Sequence, residues 1–175
     1  MVYLLALIYI LRRLILSERV KTLKTFAELV FGRFDNSVKD LKEAEAAWKP
    51  VGEANDIKWI LTHLSQQWNM GVIRAIKGDQ TFKPAGWPDD YVGNRSYSLS
   101  KIMNDLKQGK EKVLESLDKI NPADLDVDIN TPRGIRKRET MLMMLLSEIP
   151  HHEGQIAYIR GAVGRRKLTE PAFLA

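Results

Sequence analysis

The chain has no cysteine among its 175 residues. That absence excludes disulfides, thiolate metal sites and any thiol nucleophile supplied by the chain itself. Histidine is scarce, with three residues in all, so an imidazole-based site must be drawn from His63, His151 and His152. No internal repeat or low-complexity segment is present, which argues against solenoid and fibrous architectures. Long apolar runs are missing as well. Met1 to Leu11 is the longest, well short of the roughly 20 residues that a membrane-spanning helix needs.

What is present is ordinary in bulk. A hydrophobic fraction of 45% and a charged fraction of 28% describe a soluble globular domain with one sizeable core. The net charge of +5 permits an anionic ligand without demanding one. Aromatic residues are not interleaved with basic ones, so no nucleic-acid partner is expected. The apolar start carries Arg12 and Arg13 after its hydrophobic run, the reverse of a secretory signal. Residues 1–16 are therefore expected as an apolar extension to a domain over 17–175. The extension is open to three readings: an extra packed helix, a contact with a membrane surface, or an artefact of a true start near Val20. The third would need a non-standard start codon, since the next methionine is Met70. The expected location is cytoplasmic, with membrane association as the alternative.

From Ser17 onward apolar residues recur at spacings of three and four, as in amphipathic helices. The first helix is expected from Ser17 to Ala47, on Val20, Leu23, Ala27, Phe34, Val38 and Leu41. The segment WKPVGEAND breaks it. A cap at Asn55 or Asp56 opens the second, which continues through Ile57, Ile60, Leu61, Leu64 and Trp68 to Lys77. A loop rich in Gly, Pro and Asp follows. The third helix begins at Ser98 or Ser100 and carries Ile102, Leu106, Val113, Leu117 and Ile120. A short extended piece is expected at Leu125 to Ile129 and no other strand, and the fourth helix runs from Arg136 to Val163. Four long amphipathic helices with unequal connections predict an all-α four-helix bundle.

The stretch SEIPHHEGQIAYIRG, Ser147 to Gly161, sets Glu148, His152 and Gln155 beside Leu145, Ile156 and Ile159 at helical spacing. Burying such polar groups costs free energy unless they find partners. Residues four apart on a helix are neighbours, so Glu148 and His152 can ligate one ion. His151 is rotated by about 100° from His152 and falls outside that set. His63, three residues past Ile60, lies on the inward side of the second helix. Two histidines and a carboxylate leave a coordination position for water or substrate, as in catalytic zinc sites; Fe2+, Ni2+ and Mn2+ suit the same donors. Simpler accounts fit the same residues: His63 as a hydrogen-bonded core histidine, Glu148 and His152 as a solvated ion pair, and Gln155 bonded to a neighbouring backbone. Pro150 predicts a kink at the ligand turn, or a helix in two pieces.

Trp48-Lys-Pro, then IKWILTHLSQQW (Ile57 to Trp68), then EIPHHEGQIAYIRG resemble, in that order, the DinB-like superfamily of metal-binding four-helix bundles. His63-Leu64 matches the family's histidine on the second helix. His152-Glu-Gly-Gln155 matches the end of its H-x3-H-x-G-Q element on the last. Glu148 stands where the first histidine of that pair falls, as in a related branch that carries E-x3-H. The resemblance implies a metal site of His63, Glu148 and His152, most simply Zn2+. It also implies an enzyme in which the metal activates a low-molecular-weight thiol for transfer to a small-molecule substrate. Metal-dependent hydrolysis and a non-catalytic, stress-related metal-binding bundle are the alternatives. The resemblance and the long apolar faces further imply a homodimer.

Four residues are expected around that centre. Gln155 and His151 would shape its open side. Gly154 would let a neighbouring helix approach closely. RGIRKRE, Arg133 to Glu139, is the densest basic cluster, and Arg136 within it is expected to hold an anionic group of the substrate, unless the cluster is a solvated loop.

Overall fold

The computed structural model describes the backbone over residues 2–131 and 134–169, with side chains over 17–131 and 134–164. Helix α1 spans Val2–Ser37. Leu23, Ala27, Val30, Phe31 and Phe34 line its buried face, at the spacing the sequence predicts. Its limits differ from expectation at both ends. Residues 2–16 continue the same helix instead of forming a separate one; their side chains, and Met1, lie outside the described residues. At the other end Asp40 takes φ 57°, a left-handed conformation that Asp tolerates better than most residues. The chain turns there, and Glu43–Ala46 form a separate short helix, α2. Arg160 donates to the carbonyls of Ser37 and Lys39 at 2.7 and 3.0 Å, placing a cation on the negative end of α1. No described helix is long and apolar enough to cross a membrane.

Helix α3 (Ile57–Gln66) passes through a π-helical turn, Gln67–Gly71, into α4 (Val72–Lys77). Asp56 caps α3 by accepting from the Trp59 amide at 2.8 Å. In the wide turn the Val72 amide donates to the Gln67 carbonyl, five residues back, and Trp68, Asn69 and Met70 are all buried. The Asn69 carboxamide donates to the Ser65 and Asp105 carbonyls, both at 2.9 Å. Trp68 meets Phe31 and Phe34 edge to face at 4.8 and 4.9 Å, a favourable arrangement for aromatic quadrupoles.

Helix α5 (Leu99–Asp118) starts at the Ser98 cap. A 3-10 turn, Pro122–Asp126, and a two-stranded antiparallel hairpin, β1 (Asp128–Thr131) with β2 (Gly134–Lys137), lead into α6 (Arg138–Thr169). The hairpin corrects the expectation of a lone extended piece. Its polar, four-residue strands carry too little alternation to be legible, and it is pinned by buried Leu125 and Ile129. Helix α6 runs unbroken through Pro150, so the two-piece reading is excluded.

Helix directions follow from paired residues. Arg19 with Glu139 and Arg33 with Glu153 make α1 and α6 parallel. Lys24 with Asp118 and Lys110 with Asp35 make α5 antiparallel to α1. Helix α5 therefore begins beside the start of α3, where Arg95 pairs with Asp56 and the Leu99 amide donates to Glu43. The 78–98 loop carries the chain back along the length of α3 and α4.

The close pass of α5 over the π turn is made possible by Gly109, where a Cβ would sit 2.7 Å from Asn69 Nδ2 and 3.0 Å from Trp68 Cβ. Overpacking of this kind costs about 1–3 kcal/mol, against a helix-propensity gain of about 1 kcal/mol. Gly109→Ala is expected to lose roughly 1–2 kcal/mol on balance, measured by denaturant unfolding. A gain in stability would mean that the close pass is not what constrains this position.

Candidate metal centre

His63 and His152 reach each other because the inward faces of α3 and α6 meet. Ile60, Leu61 and Leu64 are buried around His63, and Ile149 and Ile156 around His152. Burying those apolar side chains carries the imidazoles inward with them. His152 is 7% exposed, His63 is half-buried, and Glu148 stands one turn before His152 at the edge of solvent. The rings lie 5.0 Å apart between centroids, at 67°. One donor atom from each of His63, Glu148 and His152 falls within 4.8 Å of the other two. The structure thus brings together the three residues singled out in the sequence.

Their bonding separates the simple accounts from a ligand set. His152 Nδ1 and Gln155 Oε1 are 2.8 Å apart. With Nδ1–H donating there, the Nε2 lone pair is left free on the side of Glu148, whose Oε2 is 3.7 Å away. That distance is too long for a hydrogen bond, so the pair is not closed on itself. Among the described residues the His63 ring makes no hydrogen bond, so it is not a satisfied core histidine. Burial pushes the His63 pKa down, nearby His152 pushes it further, and Glu148 opposes both. The neutral imidazole so favoured is the form that binds metal. Donor chemistry, spacing and protonation all fit one divalent cation.

Gln155 does not bond backbone; its carboxamide joins His152 to His151 Nε2, 3.2 Å away. His151 is exposed and outside the donor group, as its helical angle predicts. Trp59 is a residue that sequence reasoning missed. Its indole stacks on His63 at 5.4 Å and 10°, and the signal was its position four residues before His63, on the same helix face. Gly93 packs closely against that indole. A Cβ on Gly93 would lie 2.8 Å from Trp59 Cδ1, its φ is +75°, and its amide donates to Thr62 Oγ1 at 2.9 Å.

Two expectations fail. Arg136 sits on β2, twelve residues ahead of Glu148, and the ten residues of α6 between Arg138 and Glu148 alone span ~15 Å along the helix axis; the structure does not bring it to the donor group. Its neighbours in the cluster serve the fold: Arg19 bonds Glu139, Lys137 pairs with Asp128, and Arg138 pairs with Asp124. Arg133 lies outside the described residues. Gly154 admits no neighbouring helix, since a Cβ there would meet nothing within 4 Å; it borders open space instead.

The sequence pattern of the DinB superfamily matches residues 27–156, a span that includes all three donor residues. The chain belongs to the DinB superfamily. A solved structure, the conserved protein of locus from Enterococcus faecalis, is similar to this DinB-superfamily chain with a TM-score of 0.57 and 15% identity, covering 80% of this chain and 94% of the other. At that identity the likeness speaks to the fold. No curated protein matches the chain.

Because the folded state holds the His63 pKa below its ordinary value of 6.5, it resists a proton that the unfolded chain accepts. The metal-free protein is therefore expected to keep full stability above that value and to lose stability as pH falls from it through the lowered folded pKa. In unfolding titrations at several pH values, His63→Leu should flatten this slope; an unchanged slope would assign it to other groups. Gly93→Ala combines a left-handed backbone, a cost of roughly 1–2 kcal/mol, with a displaced indole. It is expected to lower stability by at least that amount and to reduce metal affinity. Wild-type metal affinity in a folded Gly93→Ala would show that the Trp59 stack does not orient His63.

Proposed function

We propose that His63, Glu148 and His152 hold one divalent cation and that the protein is a metal-dependent enzyme acting with a small-molecule thiol. The observation that carries this reading is the convergence of three donor atoms within 4.8 Å, with the outer nitrogen of His152 already engaged by Gln155. Zinc suits two imidazoles and a carboxylate, and Ni2+, Fe2+ and Mn2+ accept the same donors. A divalent cation held there supplies Lewis acidity, which favours thiolate over thiol near neutral pH. With no cysteine in the chain, the thiol has to come from a small molecule.

The chain's own residues supply the rest. Gln155 fixes the His152 tautomer so that Nε2 faces the site, a kind of support that commonly changes metal affinity or activity by about 10- to 100-fold. Glu148 contributes the negative charge that two neutral imidazoles lack. Its partly exposed side chain leaves that flank open to water and substrate. Trp59 restricts the His63 ring and shields its face.

Metal content of untagged protein tests the ligand set. His63→Ala and His152→Ala are expected to abolish stoichiometric metal, while His151→Ala retains it. Loss in His151→Ala with retention in His152→Ala would overturn the assignment. Gln155→Leu is expected to keep the fold and weaken thiol-dependent conjugation of a small electrophile. If metal-loaded wild type binds none of several thiols by calorimetry, the thiol reading gives way to hydrolysis or a non-catalytic site.

A further inference from the structure

A cavity of about 480 Å³ opens beside the donor group, within the range of about 300–1,000 Å³ usual for small-molecule sites. It sits one helical turn away on both helices that build the centre. On α3 it is lined by Ile60, one turn before His63; on α6 it is lined by Gln155, Tyr158 and Ile159, which follow His152. The turn before α3 adds Pro50, Ala54 and Asn55 to the lining.

Three features suit this open cavity to a ligand. Gly154 lines it, and a Cβ there would meet nothing within 4 Å, so a larger side chain at that position would occupy the space. Gln155 reaches from its wall to His152, linking whatever fills the cavity to a donor residue. Tyr158 is 67% exposed, an aromatic face held out at the opening. Among the described residues, neither the Asn55 carboxamide nor the Tyr158 hydroxyl makes a hydrogen bond, so both are available to a ligand.

The lining also sets the class of ligand. It contains no Lys, Arg, Asp or Glu. Proline, alanine and two isoleucines give apolar walls, and amides, a phenol and an imidazole give hydrogen-bonding groups. An anion would find no counter-charge here, in contrast to the Arg136 expectation. We propose that this cavity binds an uncharged small molecule with a flat apolar body and a hydrogen-bonding group, and presents it to the neighbouring His63, Glu148 and His152 centre. The identification of this molecule with the substrate rests on the function proposed above; the pocket and its ligand class do not.

The test uses the full chain and a neutral fluorescent probe, N-phenylnaphthylamine, with anilinonaphthalene sulfonate as its anionic counterpart. Metal-loaded wild type is expected to bind one neutral probe, more tightly than the sulfonate. Gly154→Phe should keep its metal and bind the probe about tenfold more weakly, because the ring takes up the apolar surface the probe would bury. His63→Ala should lose metal and still bind the probe. Equal affinity in wild type and Gly154→Phe overturns the pocket, and tighter binding of the sulfonate overturns the uncharged class. Should Gly154→Phe not fold, Tyr158→Ser is expected to weaken the probe several-fold, and unchanged affinity there overturns the proposal equally. Probe binding that is sensitive to Gly154 in a protein that takes up no metal would sink the metal reading and leave the pocket standing.

Discussion

Holding two imidazoles and a carboxylate against the apolar faces of two helices is the constraint on which much of this structure turns. Left alone, a half-buried ring such as His63, without a hydrogen bond, is an unfavourable group. Among the described residues it finds no hydrogen-bonding partner. Its orientation is fixed instead: the indole of Trp59 lies flat on the ring, and Gly93 leaves only enough room for that indole. On the other helix Gln155 engages one nitrogen of His152 and leaves the second unbonded. Both arrangements leave a nitrogen lone pair unengaged at some expense of stability, which is what a ligand set for the proposed cation would require.

Chain topology explains how such a site is kept in place. With α1 parallel to α6 and antiparallel to α5, the chain must return along the molecule between α4 and α5. The returning loop is not loose. Tyr91 is fully buried, with its hydroxyl donating to Asp105, Arg95 pairs with Asp56, and Gly93 bonds Thr62. The residue that caps α3 is therefore the residue that receives the loop. Anchoring the connection and starting the helix that bears His63 are one event. The π turn acts further along the same helix, turning Trp68 between Phe31 and Phe34 so that α3 and α4 stay seated on α1.

Much of this was legible in the sequence because it rested on periodicity. Asp56 and Ser98 at helix starts, the burial of Leu23, Ala27 and Phe34, and the meeting of His63, Glu148 and His152 all follow from which residues share a helix face. What was not legible depended on contacts between distant segments. Nothing local marks Ser37 as the end of α1 or Asp40 as the turn after it; that end is held by Arg160, which lies more than a hundred residues away. The hairpin strands are short, polar and held by two buried residues. Gly154 carries the clearest lesson. A helical glycine in a sequence signals missing volume, but not whether a neighbour or a ligand fills it, and here no protein atom does.

Arg136 failed for a different reason, and that reason bears on how overall charge should be interpreted. A chain with a net charge of +5 and a dense basic cluster suggests an anionic ligand. Yet cations of that cluster and its surroundings are paired with carboxylates where they stand. Arg138 pairs with Asp124 and lies against Gly78, at the C-terminal end of α4, where a cation complements the helix dipole. Arg19 is shared between Glu139 and Asp126. Those ion pairs fasten the 3-10 turn and the start of α6 to α1, at the end away from the donor group. The cavity near the donor group has no Lys, Arg, Asp or Glu in its lining. The basic cluster therefore serves to join α1, the 3-10 turn and α6 at one end, while the pocket at the other end offers shape, apolar surface and a few unengaged hydrogen-bonding groups.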